Sequence, residues 1–255
     1  MRIPFVAANW KMHKTVAEAV AYVESLRSSI QGTPNVDVAL APPFTAIQAM
    51  AHAVAGTAIQ VAGQDLHWES TGAFTGEISA DMLKEAGASH VIVGHSERRH
   101  IFGETDEQVN RKVRAAIARD LTPIVCIGET LDEREASQTL AVLDRQLELG
   151  LLDVTGAQVA ELVVAYEPVW AIGTGLNATP DQAQEAHSHI RSRLGEMFGI
   201  EASERCRIIY GGSVKPSNVA ELASQSNVDG ALVGGAGLDP VSFAEIVAKS
   251  TAAAL

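Results

Sequence analysis

The sequence predicts a closed (β/α)8 barrel that forms a single domain over residues 1–255. Three observations point to this architecture: eight short apolar runs, an amphipathic segment after each run, and a length of 255 residues without a Pro/Gly/Ser-rich linker. Unbroken apolar runs are typical of parallel strands buried on both faces, and the helices between them would be the crossover connections. An open doubly wound sheet is the alternative, because counting elements does not show whether the sheet closes.

The predicted strands and helices alternate along the chain. The strands are 5–8, 36–41, 59–63, 90–94, 123–127, 162–166, 207–210 and 230–233. The helices are 15–31, 45–55, 79–87, 105–119, 131–149, 180–198, 216–225 and 240–249. Capping boxes begin the first and fourth helices, at Thr15-Val-Ala-Glu18 and Thr105-Asp-Glu-Gln108. A capping residue followed by proline begins the sixth and eighth, at Thr179-Pro180 and Asp239-Pro240.

The chain carries 31 acidic and 19 basic residues, which give a formal net charge of −12. This balance argues against nucleic acid as a partner, which needs a basic face, but it allows a small anionic substrate. The sequence has neither a secretion signal nor an apolar run of membrane-spanning length. We expect Cys126 and Cys206 to be buried free thiols, and the protein to be cytoplasmic and not bound to a membrane.

Polar residues and glycines follow five of the eight predicted strands. They are Asn9-Trp10-Lys11, His95-Ser96-Glu97-Arg98-Arg99, Glu167, Gly211-Gly212-Ser213 and Gly234-Gly235-Ala236-Gly237. The other three strands are followed by Pro42-Pro43-Phe44, Gln64-Asp65 and Gly128-Glu129. Because the active sites of such barrels lie at the C-terminal ends of the strands, these residues should meet at one end of the barrel.

The two glycine-rich turns after the seventh and eighth strands predict a phosphate site. Glycine lets the backbone come close to a ligand, and N–H groups at a helix N-terminus attract anions. Ser213 adds a hydroxyl group to the first turn. The alternative is that the glycines only permit tight connections, but two such turns together favour phosphate.

Glu167 ends the sixth apolar run and is followed by Pro168 and by a loop that contains Gly173 and Gly175. A carboxylate at a strand end becomes more basic when a loop closes over it and removes water. Such a base, paired with an electrophile across a shared pocket, suits proton abstraction next to a carbonyl group. The alternative is an ordinary connection with a glutamate exposed at the rim.

Cofactor and metal sites are not favoured. Residues 173–178 match G-x-G-x-x-A, but that dinucleotide motif must directly follow a strand, and here six residues intervene. His187 and His189 do not share a helix face and are expected on the surface. The chain has no paired-cysteine or His-Glu-x-x-His motif. We therefore expect no cofactor and no metal.

Several motifs together resemble those of the triosephosphate isomerase family. They are NWK at 9–11, GAFTGE at 72–77, GHSERR at 94–99, CIGE at 126–129, YEPVWAIGTG at 166–175 and YGGSV at 210–214. They occur in family order and, with the last glycine turn, span residues 9 to 237. The resemblance implies a TIM barrel that interconverts dihydroxyacetone phosphate and D-glyceraldehyde 3-phosphate through an enediolate, in glycolysis and gluconeogenesis, without a cofactor.

The resemblance also implies roles for individual residues. Glu167 would be the base, and His95 would polarise the carbonyl; this family is itself the standard example of a neutral histidine kept uncharged by a helix N-terminus. Lys11 would stabilise the charge of the enediolate and the phosphate, and Asn9 would orient Lys11 and a substrate oxygen. Ser96-Glu97 would support these groups. The phosphate would be bound by N–H groups of Gly173, Ser213, Gly234 and Gly235.

The resemblance further implies a lid at residues 168–178 and a homodimer. The dimer would form through residues 64–77, from Gln64 to Glu77, with Thr75 near the tip of this loop in the partner's site. Two stretches differ from the family's usual pattern. At the far hinge of the lid this chain has Leu176-Asn177-Ala178, whereas many relatives begin this segment with a basic residue. This difference bears on the rate at which the lid opens, and not on the chemistry. His67-Trp68-Glu69-Ser70 has no interpretation from the sequence.

Two other functions are compatible with a phosphate-binding barrel. An epimerase would need metal ligands at strand ends, and an aldolase would need a lysine that forms a Schiff base there. Lys11 is the only lysine directly after a predicted strand, and it comes together with His95 and Glu167. A phosphate-binding protein on an inactive barrel would have lost one of these three residues.

Overall fold

The computed structural model describes residues 2–30, 32–33, 35–173 and 177–252 and contains a closed barrel of eight parallel strands. Each strand is hydrogen-bonded to the next along the chain, and β8 closes the barrel on β1. The strands are β1 (Phe5–Asn9), β2 (Asp37–Ala41), β3 (Ile59–Gly63), β4 (His90–Val93), β5 (Thr122–Ile127), β6 (Val163–Tyr166), β7 (Arg207–Tyr210) and β8 (Gly230–Val233). The predicted closed barrel is confirmed, and the open doubly wound sheet is excluded.

Helices connect the strands on the outside of the barrel. They are α1 (Val16–Ile30), α2 (Ile47–Ala53), α3 (Ala80–Glu85), α4 (Ser96–His100), α5 (Asp106–Ile117), α6 (Leu131–Glu135), α7 (Thr139–Gly150), α8 (Gly156–Val159), α9 (Pro180–Phe198), α10 (Ile200–Arg205), α11 (Val219–Ala223) and α12 (Pro240–Ala252). Single 3-10 turns cover Phe44–Ala46, Val169–Ala171 and Gly235–Leu238.

The four helix starts predicted from capping residues are confirmed, whereas the helices predicted over 45–55 and 216–225 begin later, at Ile47 and Val219. The capping boxes at Thr105 and Thr179 are complete, with the glutamine three residues later bonded back to the capping N–H. The N–H of Thr15 donates to Glu18 at 2.7 Å, and Asp239 Oδ1 accepts from the N–H of Ser242 at 2.7 Å. These local bonds satisfy N–H groups that have no partner inside the helix, which is why the sequence signals are reliable.

The helix predicted over 131–149 is wrong as one element, because the structure divides it into α6 and α7. Ser137 lies between them with φ of 57°, a left-handed conformation that ends an α-helix. Helices α4, α8 and α10 were not predicted. They have five, four and six residues, and segments this short carry little of the periodicity that identifies a helix.

Apolar side chains form two layers. The inner layer consists only of strand residues, including Phe5, Ile92, Ile124 and Cys126, and it fills the barrel; the outer layer packs the strands against the helices. Both cysteines are buried and free, as expected, and burial raises the pKa of the Cys206 thiol to about 12. Within the described ranges, no helix is long and apolar enough to cross a membrane.

Candidate active site

A cavity of about 700 Å³ opens at the C-terminal ends of the strands. Its lining brings together eight of the predicted residues: Asn9, Lys11, His95, Glu167, Gly173, Ser213, Gly234 and Gly235. Ser96 and Glu97 contact residues of this group through hydrogen bonds. The predicted catalytic residues and the predicted phosphate turns therefore share one pocket.

Glu167 lies directly after β6 and is 2% exposed. Its Oε2 accepts a hydrogen bond from the backbone N–H of Ser96 at 2.8 Å, and its Oε1 lies 3.1 Å from His95 Nε2. The alternative of a glutamate exposed at the rim is therefore wrong. These two contacts hold the buried carboxylate in one position in the absence of a substrate.

The tautomer of His95 is set by the start of α4. Its Nδ1 accepts a hydrogen bond from the backbone N–H of Glu97 at 3.2 Å, which makes His95 the N-cap of the helix. A ring nitrogen that accepts carries no proton, so the neutral ring holds its proton on Nε2. Nε2 faces the carboxylate of Glu167, and its N–H can donate to the carbonyl oxygen of a substrate.

Lys11 is held in an unusual backbone conformation, with φ of 51°. Its N–H donates to Asn9 Oδ1 at 3.0 Å, and its carbonyl accepts from Gln64 Nε2 at 2.8 Å. The same amide nitrogen of Gln64 donates to the carbonyl of Ala41 on β2. A left-handed lysine costs free energy, so these bonds fix a conformation that the chain would not adopt alone.

The side chain of Lys11 links the phosphate turns to the acidic residue of α4. Its Nζ forms an ion pair with Glu97 Oε1 at 2.7 Å. A methyl group placed on Gly234 would lie 3.9 Å from Lys11 Cε, so the lysine stem passes beside the turn after β8. The 3-10 turn Gly235–Leu238 begins at this point, and Gly234, Gly235 and Ala236 line the cavity.

Glu167 lies between two glycines that have no space for a side chain. A Cβ atom on Gly211 would lie 2.8 Å from Glu167 Cγ, and one on Gly128 would lie 1.8 Å from the Glu167 carbonyl oxygen. The glycine after β5 therefore allows the close approach of the Glu167 backbone, and the first glycine after β7 allows the close approach of the Glu167 side chain.

The segment after Glu167 is tied to the fully buried Glu129. The Glu129 carboxylate accepts from Trp170 Nε1 at 2.9 Å and from the Tyr166 hydroxyl at 3.1 Å, and Arg134 pairs with it while stacking on the Trp170 ring. The predicted hinge residues Gly175 and Leu176 lie outside the described residues.

The prediction that His187 lies on the surface is wrong. His187 is fully buried, its Nδ1 lies 3.1 Å from the Asn227 carbonyl oxygen, and its ring packs edge-on against Tyr166. His189 is partly exposed and bonds Asp144. In the part of the chain that the structure describes, no group of three or more His, Cys, Asp or Glu side chains is arranged to hold a metal ion.

Sequence analysis placed Gln64, Gly128 and Glu129 at strand ends but gave them no role in the site. Gln64 and Gly128 directly follow a strand and Glu129 is one residue further on. Their roles depend on contacts with Lys11, Glu167 and Trp170. These contacts join residues 53, 39 and 41 positions apart. One sequence carries no information on such pairs.

Comparisons with known proteins agree with this geometry. A family model described as triosephosphate isomerase matches residues 4–250. Triosephosphate isomerase from Citrifermentans bemidjiense is 56% identical over 98% of this chain and all of its own length. That from Moorella thermoacetica is 56% identical over 97% of this chain and 98% of its own length. The crystal structure of triosephosphate isomerase from Bartonella henselae has a TM-score of 0.87 and 41% identity, covering 96% of this chain and 97% of that one.

Proposed function

The chain belongs to the triosephosphate isomerase family, and on that premise we propose that Glu167 is its base and His95 its electrophile. The protein is an isomerase that interconverts dihydroxyacetone phosphate and D-glyceraldehyde 3-phosphate, a step of glycolysis and gluconeogenesis. The observation that carries the assignment is the 3.1 Å separation between Glu167 Oε1 and His95 Nε2 in one cavity. A substrate that displaces Glu167 from His95 would place its carbonyl oxygen at the Nε2 donor and its neighbouring carbon at the carboxylate, and so would meet a donor and a base together.

The proposed reaction moves one proton between neighbouring carbons. Glu167 takes a proton from C1 of dihydroxyacetone phosphate, the electrons move onto the carbonyl oxygen at C2, and His95 Nε2–H stabilises the resulting enediolate. His95 then gives its Nε2 proton to O2 and takes the hydroxyl proton from O1, so that a carbonyl forms at C1 while Glu167 returns the carbon-bound proton to C2. Asn9 and Lys11 face the same oxygens, and the Lys11 ammonium offsets the negative charge. To reach C1, Glu167 has to leave the N–H of Ser96, so Ser96 and Glu97 act by holding the resting arrangement.

The phosphate is proposed to bind to N–H groups of Gly173, Ser213, Gly234 and Gly235. An enediolate next to a phosphate ester can expel the phosphate, so the site has to hold that group still and keep water out. Residues 168–178 are proposed as the lid that closes over it. The hydrogen bond from Trp170 to Glu129 supports this proposal. It holds the first part of the loop in one defined position, and closure of the lid would have to move the loop out of that position.

We propose that the protein is a homodimer through residues 64–77, with Thr75 at the partner's site. The support is a set of large apolar side chains exposed on the isolated chain: Met12 is 93%, Ile101 71%, Phe102 68% and Phe74 43% exposed. Phe74, Thr75 and Phe102 border one cavity, and Met12 directly follows Lys11. Apolar patches of this kind mark interfaces between proteins.

Two broader assignments belong to the same proposal. The whole chain, residues 1–255, is taken as one catalytic domain, because residues of the site come from the beginning, the middle and the end of the chain. A cytoplasmic location suits the two free cysteines, since reducing compartments keep thiols unpaired.

The test is turnover of glyceraldehyde 3-phosphate in EDTA, with and without 2-phosphoglycolate, a mimic of the enediolate. We expect fast turnover that EDTA does not affect and that the mimic blocks. The control is Glu167→Gln, which keeps the shape of the side chain but cannot accept a proton. It should lose turnover and still bind inorganic phosphate, and near-normal turnover in this variant would remove Glu167 from the role of base.

A further inference from the structure

Gln146 on α7 is a buried amide whose two polar atoms both bind Gly128. Its Oε1 accepts from the Gly128 N–H at 2.7 Å, and its Nε2 donates to the Gly128 carbonyl at 3.2 Å. Gln146 is 4% exposed, and Gly128 is also buried. Gly128 directly follows β5, so the side-chain amide gives this residue the pair of bonds that another strand would otherwise supply.

Gly128 in turn packs against the backbone of Glu167. A Cβ atom on Gly128 would lie 1.8 Å from the carbonyl oxygen of Glu167 and 3.2 Å from its Cα. On either side of this contact, the Glu167 N–H donates to the Ile127 carbonyl at 2.8 Å and the Val169 N–H donates to the Glu129 carbonyl at 3.0 Å. The segments 127–129 and 167–169 therefore lie together, and a shift of one moves the other.

We propose that Gln146 is a positioning residue for the base, which holds Glu167 at its working distance through Gly128. Neither Gln146 nor Gly128 is among the described residues that line the cavity, so Gln146 acts without touching the substrate. The inference rests on the proposed role of Glu167. The distance between its carboxylate and the substrate carbon affects the rate only if Glu167 transfers the proton. Substrate binding depends mainly on the phosphate turns after β7 and β8, which Gln146 does not contact.

This arrangement makes a specific kinetic prediction. Gln146→Leu keeps a similar volume but leaves both polar groups of Gly128 unpaired, so residues 127–129 should shift. Because proton transfer is sensitive to displacements well below 1 Å, we expect kcat to fall about tenfold or more. The KM and the inhibition constant of inorganic phosphate should change by no more than about twofold, since binding of the phosphate is unaffected.

Gln146→Glu is the second variant, in case the leucine variant does not fold. It keeps the acceptor for the Gly128 N–H, and kcat is measured at high pH, where the ionised carboxylate cannot donate to the Gly128 carbonyl. Its kcat should fall in the same direction with KM maintained. The matched control is Asn110→Leu: Asn110 is also a buried amide, bonded to the carbonyls of Gly150 and Leu152, and it belongs to α5, away from Glu167.

The experiment measures kcat, KM, phosphate inhibition and the melting temperature of these variants beside Glu167→Asp. All three buried-amide variants should lose stability, but only the two Gln146 variants should lose kcat. If the kcat of the Gln146 variants equals that of Asn110→Leu, or if KM rises while kcat is kept, the inference is overturned. If Glu167→Asp also has normal turnover, Glu167 is not the base. This variant therefore distinguishes failure of the proposed role of Glu167 from failure of the inference about Gln146.

Discussion

The backbone N–H of Ser96 donates a hydrogen bond to Glu167 Oε2 at 2.8 Å and joins the first turn of α4 to the residue after β6. His95, the N-cap of that helix, approaches the other carboxylate oxygen at 3.1 Å. Both oxygens of the carboxylate are therefore occupied by groups at the start of α4 in the absence of substrate. To act as a base, the carboxylate must leave these two donors and approach a carbon atom of the substrate. The length of the Glu167 side chain therefore decides whether it can take the proton.

Shortening this side chain should stop most of the reaction while preserving the fold. Glu167→Asp withdraws the carboxylate by one bond, about 1.5 Å, and we expect kcat to fall about 100-fold or more. The KM should change little, because the phosphate turns are intact. Steady-state kinetics in both directions would measure this.

The control for this variant is Glu161→Asp. Glu161 precedes the other end of the same strand and pairs with Arg205 on the surface. It should keep wild-type kcat. Near-normal turnover in Glu167→Asp would contradict the assignment of the base.

Gly211→Ala should lower activity by displacing the side chain of Glu167. The new methyl group would lie 2.8 Å from Glu167 Cγ, so the side chain has to move while the Tyr166 carbonyl, at 3.2 Å, is only crowded. We expect a folded protein whose kcat is about tenfold lower or more. Circular dichroism and steady-state kinetics would check both parts.

Gly150→Ala is the matched change, because its methyl group would make only an ordinary contact with Val109 at 3.6 Å. This variant should keep full activity. If Gly211→Ala is as active as Gly150→Ala, the glycine after β7 is required for the turn and not for Glu167.

Thr75→Arg should weaken the proposed dimer. Thr75 is exposed and borders a cavity with Phe74 and Phe102, and a charge introduced into an apolar interface loses its hydration. Sedimentation over a range of concentrations should show a shift toward the monomer, with lower activity at low concentration. Ser28→Arg, an exposed position on α1, adds the same charge elsewhere and should leave the mass unchanged. An unchanged mass for Thr75→Arg would count against the interface.

The sequence was sufficient for the barrel and for the residues at the strand ends. Both depend on residues that are adjacent in the sequence. A buried parallel strand is a continuous apolar run, and the residues that follow the run lie at the end of the strand. The capping boxes at Thr105 and Thr179 are local in the same sense. This is why the pocket could be anticipated without coordinates.

The rest depends on contacts between distant residues. Gln64 holds the carbonyl of Lys11, and Gln146 holds Gly128, but a glutamine on a helix or after a strand has no sequence feature that names its partner. His187 did carry a signal, since it falls on the buried stripe of α9 with Ala183 and Ile190. The i, i+2 spacing to His189 carries no information on burial, whereas the i−4 and i+3 spacing to these apolar neighbours does.

His90 and His187, two buried histidines outside the active site, predict how stability depends on pH. Burial lowers the pKa of His187 to about 4, and burial together with the nearby Arg207 lowers the pKa of His90 to about 4. In the unfolded chain a histidine has a pKa of about 6.5. Between these values the unfolded chain binds more protons than the folded protein, so the free energy of unfolding falls as pH is lowered from about 6.5 to about 4.

His187→Gln should reduce this dependence, because it removes one of the two groups. With a pKa lowered by roughly 2.5 units, His187 accounts for about 3 kcal/mol of the stability lost across the window. Urea unfolding at several values from pH 7.5 to pH 4 would give the slope. Asn110→Leu, which removes a buried amide that does not titrate, should lower stability equally at every pH and keep the wild-type slope. If His187→Gln keeps that slope as well, His187 is not the group that couples folding to protonation.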